Sequence, residues 1–113
     1  MPREPKAYLH DMRQAAALIA DFTEGLDFGA YAADAMVRAA VEGQFEIIGE
    51  ALGQPAKMEP ETAGRIGDHR RIIAFRNILV HGYAGVDDRL VWDMVVTRLG
   101  DLRGDVDRLL EGG

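Results

Sequence analysis

Met36-Val37-Arg38-Ala39-Ala40-Val41-Glu42-Gly43-Gln44-Phe45-Glu46-Ile47-Ile48-Gly49-Glu50-Ala51-Leu52-Gly53 carries the clearest structural signal in the chain. Its apolar positions, Met36, Val37, Ala40, Val41, Phe45, Ile48, Ala51 and Leu52, recur at spacings that gather them on one face of an α-helix. Nothing in it alternates apolar and polar residues as a half-buried strand does. Gly53 supplies a stop, with Pro55 just beyond. The spacing predicts a helix over 30–53, the second in the chain.

Reading outward gives three more. Upstream, Lys6 to Thr23 carries Leu9, Met12, Ala16, Ile19 and Phe22 at three- and four-residue spacing and stops at Gly25. Downstream, 55–67 is broken by prolines and glycines and reads as a linker with at most one helical turn around Glu61 to Arg65. A third helix starts with Asp68 as its N-cap and runs through Ile72, Ile73, Phe75, Ile78 and Leu79 to His81, where Gly82 stops it. A fourth opens at Asp87 or Asp88 and follows a seam of Val91, Val95, Leu99, Leu102, Val106 and Leu109, which Gly100 and Gly104 weaken without breaking. The expectation is an all-α chain, one domain over 1–113, folded as a four-helix up-and-down bundle.

Size and composition bound what such a bundle can do. With 113 residues there is room for one small core, and 13 Lys+Arg against 19 Asp+Glu leave a net charge of −6. An acidic chain is a poor sequence-independent nucleic-acid binder, since that affinity comes mostly from neutralising phosphates, so any nucleic-acid contact has to be local. The absence of cysteine excludes disulfides, thiol catalysis and Cys-based zinc sites. No apolar run suits a signal peptide or a membrane span, and a soluble cytoplasmic protein without membrane contact is expected. Glycines inside the expected helices, Gly43 and Gly49 among them, cost nearly 1 kcal/mol each relative to alanine. They permit close helix approach, and a homodimer would recover the loss by burying more surface.

The stretch Phe75-Arg76-Asn77-Ile78-Leu79-Val80-His81-Gly82-Tyr83 concentrates the functional groups. Arginine is a permanently charged fork suited to phosphate, and histidine exchanges a proton most readily near neutral pH. Together they are the minimum kit for metal-free RNA cleavage. Five helical residues turn by about 500°, so Arg76 and His81 stand some 140° apart on a regular helix. They converge if the chain leaves the helix at Gly82, if the arginine swings across, or if two copies face one cleft across a two-fold axis. Arg-x4-His alone is weak evidence, because the arginines and histidines of this chain give about 0.3 chance pairs at a fixed spacing.

The longer string Arg-Asn-x-Leu-Val-His-x-Tyr resembles the signature of HEPN-domain ribonucleases, specifically the HepT-like toxins of prokaryotic HepT/MNT toxin–antitoxin systems. Arg38-Ala39-Ala40-Val41-Glu42, Phe45-Glu46-Ile47-Ile48-Gly49-Glu50-Ala51 and Val91-Trp92 extend the likeness over about residues 7 to 110, with the linker 53–67 as a departure. The resemblance implies a HEPN-like bundle and a type VII module. Its toxin would be a metal-independent endoribonuclease with Arg76 and His81 as the catalytic pair, Asn77 in support and no cofactor. It further implies that a cognate nucleotidyltransferase antitoxin of the MNT type adenylylates Tyr83. The alternative is a non-catalytic helical interaction subunit of a nucleotidyltransferase complex.

Weaker candidates surround this string. Arg65, His69, Arg70 and Arg71 form a local basic cluster, either a path for RNA or a solvated helix face. Glu46 and Glu50, one helical turn apart, read as paired carboxylates, as partners for Arg76, or as partners for other arginines of the fold. His10 and Asp11 have no metal-ligand spacing with another histidine. Trp92, Phe45 and Phe75 are expected in the core.

Overall fold

Asp34 divides the long helix expected over 30–53. Its carboxylate accepts from the backbone N–H groups of Met36 and Val37 at 3.0 and 3.1 Å, and its backbone is extended. An aspartate in this geometry satisfies donors that a helix start leaves open, which makes it a better boundary than a helix interior. Its own N–H closes the preceding turn on Tyr31. The computed structural model describes residues 5–53, 65–67, 69–82 and 85–112, and among them runs α1 (Pro5–Thr23), α2 (Phe28–Ala33), α3 (Ala35–Leu52), α4 (His69–His81), α5 (Asp88–Thr97) and α6 (Leu99–Gly112). No strand occurs among these residues.

The first helix ends as its sequence predicts. Gly25, at φ +77°, adopts the left-handed conformation that glycine tolerates best. Asp27 then caps α2 by accepting from the Ala30 N–H at 2.8 Å, so Phe28 and Gly29, expected in a loop, begin a helix. The fourth expected helix is also divided, and at a different place from the glycines. The Thr97 hydroxyl bonds back to the Asp93 carbonyl, a contact of the kind that bends helices, and Arg98, at φ −118°, is the turn residue between the two halves. The backbone hydrogen bonds from Arg98 to Met94 and from Leu102 to Arg98 bridge the turn.

The architecture is therefore a helical bundle whose second and fourth members are each broken once, in keeping with the HEPN-like class. α1 packs between α3 and α6, α4 lies on α3, and α2 sits against α3 and α5. The apolar stripes meet in one core: Leu9, Met12, Ala16 and Ile19 from α1, Val41, Phe45, Ile48 and Leu52 from α3, and Val91, Leu99, Leu102 and Val106 from α5 and α6 are buried. Phe45 and Phe75 meet edge to face at 5.2 Å, joining α3 to α4. Trp92 is half-buried, its ring 5.3 Å from that of Tyr31. Of the linker, residues 54–64 lie outside the described residues, as does Asp68; the end that is described is fixed by buried Ile66 and by the Gly67 N–H, which donates to Asp105 at 3.0 Å.

The two glycines of α3 differ. A Cβ at Gly43 would meet nothing within 4 Å, so no packing within the chain requires glycine there. A Cβ at Gly49 would collide with Cβ and Cγ of Arg76. The close approach at Gly49 is thus made by α4 of the same chain.

Candidate active site

The functional string occupies the second half of α4. Phe75 and Leu79 are buried and hold the helix to the core, which presents Arg76 to α3. The α4 backbone continues regularly through His81, and Gly82 closes it by donating to the Ile78 carbonyl at 2.7 Å. Position 82 requires glycine for space, since a Cβ there would lie 2.5 Å from that carbonyl oxygen. Its φ is not in the left-handed region, so the stop is not the glycine cap that the sequence implied.

Arg76 rises out of the α3–α4 contact. Its Nε is buried and has no hydrogen-bond partner among the described residues. Nη2 donates to Glu50 Oε2 at 3.2 Å and Nη1 to Asn77 Oδ1 at 3.1 Å. The Arg76 side chain is 28 % exposed and that of Glu50 62 %. Gly49, Glu50, Gly53, Ile73, Arg76 and Asn77 line an open cleft of about 220 Å³ at this point. The structure thus brings together Arg76, Asn77 and Glu50, an anchored guanidinium at a solvent-filled cleft, which is equipment for binding a phosphate.

His81 is not part of that cluster. It is exposed at the last position of α4 and has no hydrogen bond to Arg76 among the described residues. Steps of about 100° per residue put it about 140° from Arg76, with Ala74, Asn77 and Ile78 each within about 60° of it, so Asn77 stands between the histidine and the arginine's cleft. Ala74 and Ile78 line a second, more apolar groove of about 380 Å³ between α4 and α5, together with Arg71, Leu90 and Met94. Ile78 is 47 % and Leu90 37 % exposed. Tyr83 lies outside the described residues.

The other candidates scatter. Arg70 and Arg71 are exposed on α4, Arg65 is exposed before it, and half-buried His69 is its first residue. Glu50 is the carboxylate that reaches Arg76, and both Glu46 and Glu50 line a cleft between α1 and α3 with Tyr8 and Asp11. His10 contacts Arg13 on its own helix. No three His, Asp or Glu side chains among the described residues come together as a metal cage. No helix among them is long and apolar enough to cross a membrane.

Sequence reasoning missed a second polar cluster, made by Tyr31, Arg38, Glu42 and Asp88. Arg38 pairs with Asp88 at 3.2 Å, fastening α3 to the start of α5. Burial raises the pKa of Glu42, with further upward pressure from Asp88 and Glu46 and an opposing pull from Arg38. Burial also raises the Tyr31 phenol, assisted by Glu42 and Asp88 and opposed by Arg38. The Arg38-x3-Glu42 spacing on one helix was the available signal.

A family model described as Ribonuclease HepT-like matches residues 12–109. The chain belongs to the HepT-like ribonuclease family. Among its relatives is a protein of Thermococcus cleftensis named "Probable ribonuclease HepT", 34 % identical over 112 residues that cover 96 % of this chain and 98 % of the relative. Another, "Putative RNase MJ1380" of Methanocaldococcus jannaschii, is 30 % identical over 105 residues, 93 % of this chain and 95 % of the relative. No solved structure matches the chain significantly. The resemblance read from the string at 76–83 therefore holds at the level of the family.

Proposed function

We propose that this HepT-like chain is a metal-independent endoribonuclease toxin acting through Arg76 and His81. The observation that carries this reading is the guanidinium of Arg76, rooted between two helices and open to a cleft, five residues before an exposed histidine in a chain of a ribonuclease family. RNA brings its own nucleophile, the 2′-OH. The protein has to supply a proton acceptor and donor and a cation over the phosphate as its charge grows. His81 takes the 2′-OH proton as the oxygen attacks phosphorus and returns one to the departing 5′-oxygen, leaving a 2′,3′-cyclic phosphate. Arg76 binds the phosphate oxygens, with Asn77 supporting the guanidinium.

The two faces of α4 bear on how the pair meets. Arg76 belongs to the cleft against α3, and His81 stands between the cleft-lining Asn77 and the exposed apolar Ile78. A homodimer that covers Ile78 and Leu90 with the same surface of a second copy brings both copies of the 76–83 segment toward one cleft, in the isologous manner of two-fold assemblies. Control in this reading comes from an MNT-type nucleotidyltransferase antitoxin that transfers AMP to Tyr83. The adduct places a phosphate and a purine beside Arg76, a tethered competitor at high effective concentration.

Purified protein incubated with defined RNA in EDTA tests the reading. Cleavage is expected, with no cleavage where the scissile nucleotide is 2′-deoxy; cutting of the deoxy substrate refutes the 2′-OH mechanism. Light scattering at micromolar concentration should give twice the chain mass, and an active monomer removes the shared cleft. ATP with the antitoxin should add adenylate mass and silence the wild type while Tyr83→Phe stays active; equal silencing of Tyr83→Phe overturns the modification.

A further inference from the structure

We infer that Gly49 and Glu50, consecutive residues of α3, are the positioning pair for Arg76: Gly49 by leaving out a side chain, Glu50 by holding the guanidinium. This rests on the reading of Arg76 as the phosphate-binding cation.

Gly49 is a buried residue inside a helix, where glycine weakens the backbone relative to alanine. Its φ lies outside the left-handed region, so conformation does not require glycine here. Space does. The nearest atoms to an added Cβ all belong to Arg76: its Cβ, its Cγ and, at 3.5 Å, its Cα. The α3 backbone at position 49 is thus the seat of the arginine's stem. Gly43, six residues earlier on the same helix, shows that a glycine in α3 need not have such a neighbour.

A seated stem fixes where the guanidinium begins, and two polar groups fix how it turns. Glu50 takes one N–H from Nη2 and Asn77 one from Nη1. Each Nη keeps a second N–H, and Nε is buried behind them. The fork is presented to the cleft with two donors uncommitted, the arrangement a planar bidentate contact to a phosphate uses. Because seat and brace come from neighbouring residues of one rigid helix, the fork is organised before substrate arrives, and a donor fixed in advance is worth more in the transition state than one ordered during it. Glu50, adjacent to the seat and largely exposed, turns the head group from the lining of the cleft itself.

The test compares Gly49→Ala, Glu50→Ala and Glu50→Gln with Gly43→Ala, each checked for native helicity. One readout is the cleavage rate of defined RNA. The other is the 1H–15N signal of the Arg76 side-chain Nε–H, expected to be protected from solvent exchange by burial and assigned by its loss in Arg76→Lys. Gly49→Ala and Glu50→Ala should each shift or broaden that signal and slow cleavage at least tenfold. Glu50→Gln, which keeps an acceptor oxygen, should restore part of both, and Gly43→Ala should change neither. If Gly49→Ala fails to fold, the Glu50 variants decide the brace and the double variant Gly49→Ala/Arg76→Gly decides the seat: recovery of folding supports it, and a double variant that also fails to fold overturns it. An unmoved signal and a wild-type rate in Glu50→Ala overturn the brace, and the same result in a folded Gly49→Ala overturns the seat. If the signal moves as expected but wild-type protein cuts no RNA, the positioning stands and the ribonuclease reading falls.

Discussion

Arg38–Asp88 and Arg76–Glu50 are both arginine–carboxylate pairs closed at 3.2 Å, and α3 contributes to each, yet they do different work. The Arg38 pair joins α3 to the start of α5 beside the buried Tyr31 and a Glu42 whose proton affinity burial has raised. Each of its side chains is 31 % exposed, and Glu42 lies beside them as a further charge for Arg38 to answer. The Arg76 pair has an exposed carboxylate, an Nε with no partner among the described residues and an open cleft beside it. The two arginines are about equally exposed, so the difference lies in their company: Arg38 has a second carboxylate beside it, whereas Arg76 has one largely exposed carboxylate and a cleft that a ligand can enter. Distance alone does not separate the two; what surrounds the pair does.

The sharpest way to break this contrast is to remove each arginine. Arg76→Ala and His81→Ala should lower RNA cleavage by about 10²–10⁴, the range associated with losing a general acid–base group or a transition-state donor, while thermal unfolding stays close to wild type. Arg38→Ala should do the reverse. Cleavage per folded molecule is kept, and stability falls by about 1–2 kcal/mol, between the values for exposed and buried pairs, because Glu42 and Asp88 lose the charge that offsets them. A Arg38→Ala protein that is fully folded but inactive would merge the two regions into one site.

Those outcomes bear on what the sequence could reveal. The helical class was legible because Leu9, Met12, Val41, Phe45, Ile48, Val91, Leu102 and Val106 keep a helical period and are buried. The divisions at Asp34 and Arg98 were harder to see. Asp34 sits in an apolar-periodic run, and only its extended backbone and two accepted N–H bonds mark it as a cap. At the other division the glycines drew attention to position 100, while the break falls at Arg98, next to a Thr97 hydroxyl that bonds back to a backbone carbonyl. The string at 76–83 was legible as chemistry, but its partners were not. Glu50 was one of several carboxylates at a plausible spacing, and Gly49 looked like a contact for another subunit. Which helix packs on a glycine is decided by the tertiary arrangement, which a period of 3.6 residues does not encode.

A second test sharpens the contrast through Tyr31, whose ring is fully buried and whose hydroxyl has no partner among the described residues. Tyr31→Ala should cost about 3–5 kcal/mol, as other large aromatic truncations in cores do. Tyr31→Phe keeps the ring beside Trp92 and removes only an unsatisfied polar atom, so it should be neutral or stabilising, within about 1 kcal/mol of wild type. Chemical denaturation of both variants measures this. A penalty for Tyr31→Phe as large as that of a broken buried hydrogen bond would mean that the hydroxyl is satisfied within the fold.

The smallest expected effect concerns Glu42, and its sign follows from burial. Its pKa in the fold is raised above 4.5, chiefly by desolvation and then by Asp88. The fold therefore binds the proton more tightly than the unfolded chain does. That contribution to stability is fully present below the unfolded pKa and is lost as pH rises through the folded value. At neutral pH the ionised Glu42 is a net burden that Arg38 relieves in part. Glu42→Gln, which keeps the shape and cannot ionise, should be slightly more stable than wild type at pH 7, and the advantage should shrink toward zero as pH falls below about 4.5, the ordinary glutamate range. Solvent screening at a half-buried site keeps the difference small, so paired denaturation curves across pH 3 to 8 are needed to resolve it. An advantage that instead grows on acidification reverses the sign and puts Glu42 among carboxylates stabilised in their charged form, as an ion-pair partner of Arg38 in its own right.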